Sequence, residues 1–148
     1  MSGFLTILEE FCINNRVCIY PDYDFNFSNI DQDKILLQLS KNLNNIIKEC
    51  NIKEEGVIVL LDLGKINGKG LDLGLLKKII NFFQHNYTDI LHRIIIYNYS
   101  FKFIWILNIL KRFMDKNTAK KIIIDKNIGQ TINNLLKDKQ STLLINSN

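Results

Sequence analysis

Proline is nearly absent from this chain, and cysteine and glycine are scarce. A single proline and seven glycines among 148 residues exclude collagen-like and linker-type sequence, which needs one or both in quantity. The three cysteines, Cys12, Cys18 and Cys50, are odd in number and fall in no CxxC or Cys/His pattern. Neither a disulfide framework nor a zinc site is therefore expected, and a reducing, cytoplasmic setting fits best. Met1 to Asn15 lacks the basic start, long apolar run and small-residue cleavage site of a secretory signal. A mean hydropathy of +0.00 argues against an integral membrane protein.

What is present is ordinary globular composition, 47% hydrophobic and 23% charged, at the right size for a single domain over residues 1–148 with one core. Isoleucine, asparagine and lysine supply about 60 of the residues, a skew that an A/T-rich coding sequence produces unaided, so a lone lysine or asparagine carries little weight. The net charge of +4 allows an anionic partner but is no more than solubility requires, and no nucleic acid partner is expected from it.

The chain opens on a short amphipathic stretch (Phe4, Leu5, Leu8, Phe11), followed by a strand from Arg16 to Tyr20 that Pro21 and the acidic loop Asp22 to Asp33 terminate. Lys34 to Glu49 carries Ile35, Leu36, Leu39, Leu43, Ile46 and Ile47 on one helical face. Val57 to Leu61 is a continuous apolar run of strand length, the pattern of a strand buried on both sides. After a loop with Gly64, Gly68 and Gly70, a helix is predicted over Asp72 to His85 and a strand over Arg93 to Tyr97. Then come a helix over Phe101 to Met114, a strand over Lys121 to Ile124, a helix over Ile128 to Lys137 and a short edge strand at Leu143 to Ile145. Strands alternating with helices of this length imply an α/β fold, a mostly parallel sheet of four or five strands flanked by helices.

Candidate catalytic motifs fail on spacing. The loop Gly64 to Gly70 has three residues where a P-loop has four before its Gly-Lys pair, and Gly70 stands where Ser or Thr is needed. Asp62, with Asp22, Asp24 and Lys126, is loosely similar to a phosphoacceptor set but lacks the close acidic pair that holds magnesium. Asp62 is better read as the anchor of the turn that follows it. His85 and His92 have no metal-ligand spacing, and no serine lies in GxSxG. No enzyme activity, metal or cofactor is expected.

The helix Phe101 to Met114 poses a conflict. Ten of its fourteen residues are apolar, and on a helical wheel Asn108, Lys111 and Arg112 share a sector with Phe101, Ile104 and Trp105. Facing water, that sector exposes an aromatic patch; facing the core, it buries two cations. A bilayer surface satisfies both sets, since Trp sits at the headgroup level and Lys or Arg reach lipid phosphates. Fourteen residues do not span a bilayer, which takes roughly 20.

From Val57 to Ile124 the chain resembles the CRAL-TRIO lipid-binding family of the yeast phosphatidylinositol transfer protein type. The carrying stretches are Val59-Leu60-Leu61-Asp62-Leu63-Gly64-Lys65, His85-Asn86-Tyr87-Thr88-Asp89, Arg93-Ile94-Ile95-Ile96-Tyr97-Asn98, and Phe113 through Ile122 with Asp115, Thr118 and Lys121 at the family's Asp, Thr and Lys. Against the family pattern this reads as a minimal form lacking the amino-terminal helical bundle. The resemblance implies phosphatidylinositol headgroup contacts at Asp89, Thr118 and Lys121. It places Val57 and Val59 at the hydroxyl positions that serve phosphatidylcholine, and aligns Phe101 to Met114, with Phe101, Ile104, Trp105, Asn108, Lys111 and Arg112, with the membrane-contacting gate helix. The implied function is non-catalytic binding and transfer or presentation of phosphatidylinositol by a cytoplasmic, peripherally membrane-associated protein whose partners are phospholipid and an anionic membrane surface. Two alternatives remain: a protein-interaction scaffold on the same fold without a lipid cavity, and a STAS-like regulatory domain, whose strand and loop resemble Val57 to Gly74 although the usual Asp-Ser pair is missing.

Overall fold

The apolar run from Val57 becomes the middle strand of a five-stranded sheet. The computed structural model describes residues 5–13, 16–21, 31–66, 73–131 and 134. Its strands are β1 (Leu5–Ile13), β2 (Arg16–Pro21), β3 (Val57–Asp62), β4 (Leu91–Tyr97) and β5 (Ile122–Ile124), each lying beside its neighbour in sequence. β1 and β2 pair antiparallel, and the other pairings are parallel. The parallel steps are bridged by α1 (Gln32–Glu49), then α2 (Leu63–Ile66) and α3 (Leu73–Asn86), then α4 (Phe101–Lys111) and α5 (Lys116–Lys120). This is the mostly parallel α/β sheet that the alternation of elements implies.

Crossovers that keep stepping the same way, each right-handed by rule, lay their helices on one face. Ile35, Leu39, Leu43 and Ile46 of α1 and Leu75 of α3 pack there on Val57 and Ile19, with Val17 and Val59 at the margin. Each fully buried aliphatic side chain contributes about 1.5–3 kcal/mol. The α4–α5 junction joins the same layer: the Asp115 N–H donates to Gln84 Oε1 of α3 (3.0 Å), and Lys77 Nζ lies 4.0 Å from the Phe113 ring centre. Local signals set the limits of α1. Asp31 caps its start, the carboxylate accepting from the Asp33 N–H at 2.8 Å. At its end Asn51 takes a left-handed φ of 51°, and the Ile52 N–H returns to the Ile47 carbonyl at 2.9 Å, a Schellman closure.

The opposite face carries a second apolar cluster of Cys18, Ile58, Leu60, Ile95 and Tyr97, joined by Tyr20 and Ile128. The chain is helical again from Ile128. A Cβ at Gly129 would meet the Tyr97 ring at 2.7 Å, so only glycine lets this turn approach so closely. The rest of the helix predicted to Lys137, and the edge strand at Leu143 to Ile145, fall outside the described residues.

Cover on the helix face is uneven. Register sets Val59, Ile94 and Ile122 at one level and Leu61, Ile96 and Ile124 at the next. Of these only Ile96 is buried, and the others stay half-buried. An apolar strip toward β5 is thus incompletely closed beneath the last helices.

Several elements differ from the sequence reading: β4 starts at Leu91 and not at Arg93, and α5 forms over Lys116–Lys120, where no helix was predicted. The amphipathic opening is strand β1, whose register with β2 shifts between Ile7 and Cys12, so two-residue alternation does not hold along it. Residues 63–66, expected as loop, form the short α2. The helix beginning at Phe101 ends at Lys111, with Arg112 as its cap.

Candidate functional site

The chemistry-bearing side chains gather where β4 and β5 begin. Asp115 starts α5 by accepting the Thr118 N–H at 2.7 Å, and that bond is the chief reason its carboxyl is held below the ordinary carboxylate range. One turn on, Lys121 caps the helix, its N–H bonded to the Thr118 carbonyl at 3.1 Å. Capping brings both side chains inward: Thr118 is 4% exposed and Lys121 6%. The Lys121 ammonium donates to the Thr88 carbonyl at 2.6 Å. An ammonium has three donors, and among the described residues this carbonyl is the one partner found for it. The Thr118 hydroxyl is buried without a hydrogen-bond partner of good geometry, although it lies near enough to Asp115 to help depress that carboxyl. Buried polar atoms left in this way are rare and call for an explanation.

Asp89 follows Thr88 in the turn between α3 and β4. Its side chain is exposed, and its carbonyl accepts the Glu55 N–H at 2.8 Å. The positions predicted for a headgroup thus come to one corner of the fold: Thr118 and Lys121 buried together, with Lys121 tied to the residue beside Asp89. Tyr87 fixes the turn from behind, its hydroxyl donating to Asn44 Oδ1 at 2.8 Å and lying 3.0 Å from Ser40 Oγ of α1.

Sequence reasoning gave no role at this corner to three basic residues, His92, Arg16 and Arg93. β4 holds one residue more than β3 here, since Val57 pairs with Leu91 but Ile58 with Arg93, which leaves His92 as the bulged residue. Its Nδ1 is buried without a hydrogen-bond partner, 3.8 Å from Glu55 Oε2. Burial, then Arg16 and Arg93, push its pKa below the ordinary 6.5; Glu55 opposes them and Lys121 adds to them. Arg16 Nε donates to the Glu55 carbonyl at 2.8 Å and Arg93 Nη1 to the His92 carbonyl at 2.8 Å. The signal available was the dipeptide His92-Arg93 ahead of an apolar run; the bulge itself leaves no mark in a single sequence.

At the other end of the strands Asp62 is 1% exposed and anchors the following turn. It accepts from Asn98 Nδ2 at 3.2 Å and from the Lys65 N–H at 3.4 Å.

The conflict on α4 resolves toward solvent. Phe101 is 94% and Trp105 72% exposed. Asn108, Lys111 and Arg112 are exposed beside them, with Ile104 half-buried. Leu107 and Leu110 hold the other side of the helix to the protein. No described helix is long and apolar enough to cross a membrane.

The sequence matches the family model of the CRAL/TRIO domain over residues 2–141. The chain belongs to the CRAL/TRIO family. Its members bind and transfer lipids, generally without catalysis, and the STAS-like alternative is set aside. Among solved structures the fold is similar to the crystal structure of Sfh5, from yeast, with a TM-score of 0.60 at 18% identity. That match covers 82% of this chain and 48% of the other, so the chain spans about half the length of Sfh5. No curated protein matches the sequence. In this chain the half-buried apolar strip over β3, β4 and β5 lies on the helix-bearing face of the sheet, and Thr88, Thr118 and Lys121 lie at the end where β4 and β5 begin.

Proposed function

We propose that this CRAL/TRIO domain binds phosphatidylinositol and carries or presents it between membranes without chemistry on the lipid. The phosphodiester is held by Lys121 and the Thr118 hydroxyl, and the inositol hydroxyls donate to the Asp89 carboxylate. The acyl chains lie on the strip that includes Val59, Leu61, Ile94, Ile122 and Ile124. Phe101, Trp105, Lys111 and Arg112 meet the membrane, apolar groups entering the acyl boundary and cations reaching lipid phosphates. The protein works in the cytoplasm, peripherally associated with anionic membranes.

One observation carries this reading: a buried ammonium with donors to spare and, three residues before it in the chain, a buried hydroxyl without a hydrogen-bond partner of good geometry. A phosphate completes both, and each charge-assisted bond to it is worth roughly 1.5–3 kcal/mol, about ten- to a hundredfold in affinity.

Native mass spectrometry of the protein after incubation with phosphatidylcholine vesicles containing phosphatidylinositol tests it. Wild type and Lys120→Ala, altered at the exposed neighbour, are expected to carry phosphatidylinositol. Lys121→Ala, and Lys121→Met, which keeps more of the side-chain volume, are expected to lose it while circular dichroism stays native. Equal retention by the Lys120 and Lys121 variants contradicts the assignment. A folded protein that carries no lipid favours instead a protein-interaction scaffold using the exposed Phe101 and Trp105.

A further inference from the structure

The outer faces of α1 and α3 form a surface that lipid binding does not use. Lys34, Lys41 and Lys48 recur every seven residues along α1, all of them exposed, and so line up as one ridge. Lys78, Asn81 and His85 of α3 form a second exposed ridge at three- and four-residue spacing. Between the ridges lies an open groove of about 400 Å³. Leu36 and Phe82 are its half-buried side chains, and Asp33, Lys78 and His85 stand exposed at its rim. Leu37, 56% exposed, follows the groove residue Asp33 by one turn and so leans from the lysine ridge toward the groove. Among the described residues none of the four lysines joins a salt bridge. The acidic residues of the two helices, Asp33 and Glu49, lie at opposite ends of α1, so the middle of the face carries positive charge alone. A composition rich in lysine accounts for the cations, but not for an exposed leucine and a recessed apolar floor between them.

We infer that this face docks an acidic amphipathic segment of a partner protein, one apolar side chain entering the groove between Leu36 and Phe82 while carboxylates meet Lys34, Lys41 and Lys78. This stands independently of the phosphatidylinositol reading. An apolar anchor seated in a recess and ringed by charge is the general build of a protein–protein contact, the anchor supplying affinity and the charges orientation. A helical segment presents its anchors at i and i+3 or i+4, and Leu37 beside the groove meets the second of them. A bilayer suits this face less well. The apolar floor is recessed between two helices, where a flat lipid surface does not reach, and the exposed aromatic residues that favour the headgroup level, Phe101 and Trp105, lie on α4.

The probe is a short synthetic peptide with Leu and Phe on one helical face and Glu on the other, labelled with fluorescein and titrated against the full chain by anisotropy. A scrambled peptide of the same composition is the control. Wild type is expected to bind the patterned peptide about tenfold or more tighter than the scrambled one, by a margin that salt reduces, with amide shifts on binding confined to α1 and α3. Lys34→Glu with Lys41→Glu is expected to weaken binding about tenfold, and Leu37→Ser, at an exposed position, to weaken it severalfold. Lys102→Glu with Lys126→Glu makes the same change in net charge at exposed positions elsewhere and is expected to leave peptide binding unchanged. Equal binding of the two peptides, or equal loss in the two charge variants, overturns the inference. Cosedimentation with phosphatidylserine vesicles reads the other occupant. Vesicle binding lost in Lys34→Glu with Lys41→Glu, together with no preference for the patterned peptide, makes the face a membrane contact and overturns the inference; vesicle binding kept while peptide binding is lost supports it. Phosphatidylinositol uptake is expected to be the same in all these α1 variants, so failure here leaves the lipid reading standing.

Discussion

His92 is the residue whose environment most clearly carries a measurable consequence. Burial, Arg16 of β2, Arg93 of β4 and Lys121 at the end of α5 disfavour its protonated form, against the opposing carboxylate of Glu55 ahead of β3. Its folded pKa therefore lies below its unfolded value of about 6.5. As pH falls through the unfolded value the unfolded chain takes up the proton first, so the histidine's contribution is present above about pH 6.5 and is lost toward the lower folded pKa. Melting temperature is expected to drop between neutral and mildly acid pH, and His92→Gln is expected to flatten that part of the profile. Identical slopes in the two proteins would remove His92 from the account.

At the scale of elements, α4 stands out among the described helices, since its outer face mixes exposed aromatic residues with cations. α1 buries Ile35, Leu39, Leu43 and Ile46 at the spacing its sequence shows, and β3 forms over its apolar run, buried at Val57, Ile58 and Leu60 and half-buried at Val59 and Leu61. Each needs only the period of its own residues, which is why both were legible. β1 was not, because the register shift between Ile7 and Cys12 erases its alternation; nor was the bulge at His92, because it depends on β3 lying alongside. For α4 the contradiction was legible in the residue pattern, and its direction, toward solvent, required the fold. Trp105 is the sole tryptophan, so its emission reports on this surface alone. On adding vesicles it is expected to shift to the blue, more so with anionic lipid, and salt is expected to weaken the shift by screening. Lys111→Glu together with Arg112→Glu is expected to reduce vesicle binding and transfer while lipid already held stays bound. An emission maximum indifferent to vesicles would remove the membrane role from α4 and move it toward a protein partner.

Across the whole molecule, the sheet places an incompletely covered apolar strip, a cationic corner at the start of β4 and β5, and an exposed aromatic helix on one parallel framework. The headgroup positions Asp89, Thr118 and Lys121 were legible through family pattern alone; that two of them are buried and share a corner with His92 and Arg93 required the fold. The positions aligned with phosphatidylcholine contacts, Val57 and Val59, lie on the helix face, Val57 sealed against the first core cluster and Val59 at its margin. Neither offers a hydroxyl, so a choline lipid finds no hydrogen bond from them. The most direct measurement is therefore transfer between donor and acceptor vesicles, with phosphatidylinositol and phosphatidylcholine labelled in parallel. The account predicts that phosphatidylinositol moves at least about tenfold faster, the value of one charge-assisted bond from an inositol hydroxyl to the Asp89 carboxylate, that Asp89→Ala removes the difference, and that Lys121→Met slows transfer of phosphatidylinositol. Equal rates for the two lipids, or transfer of neither by a folded protein, would contradict it.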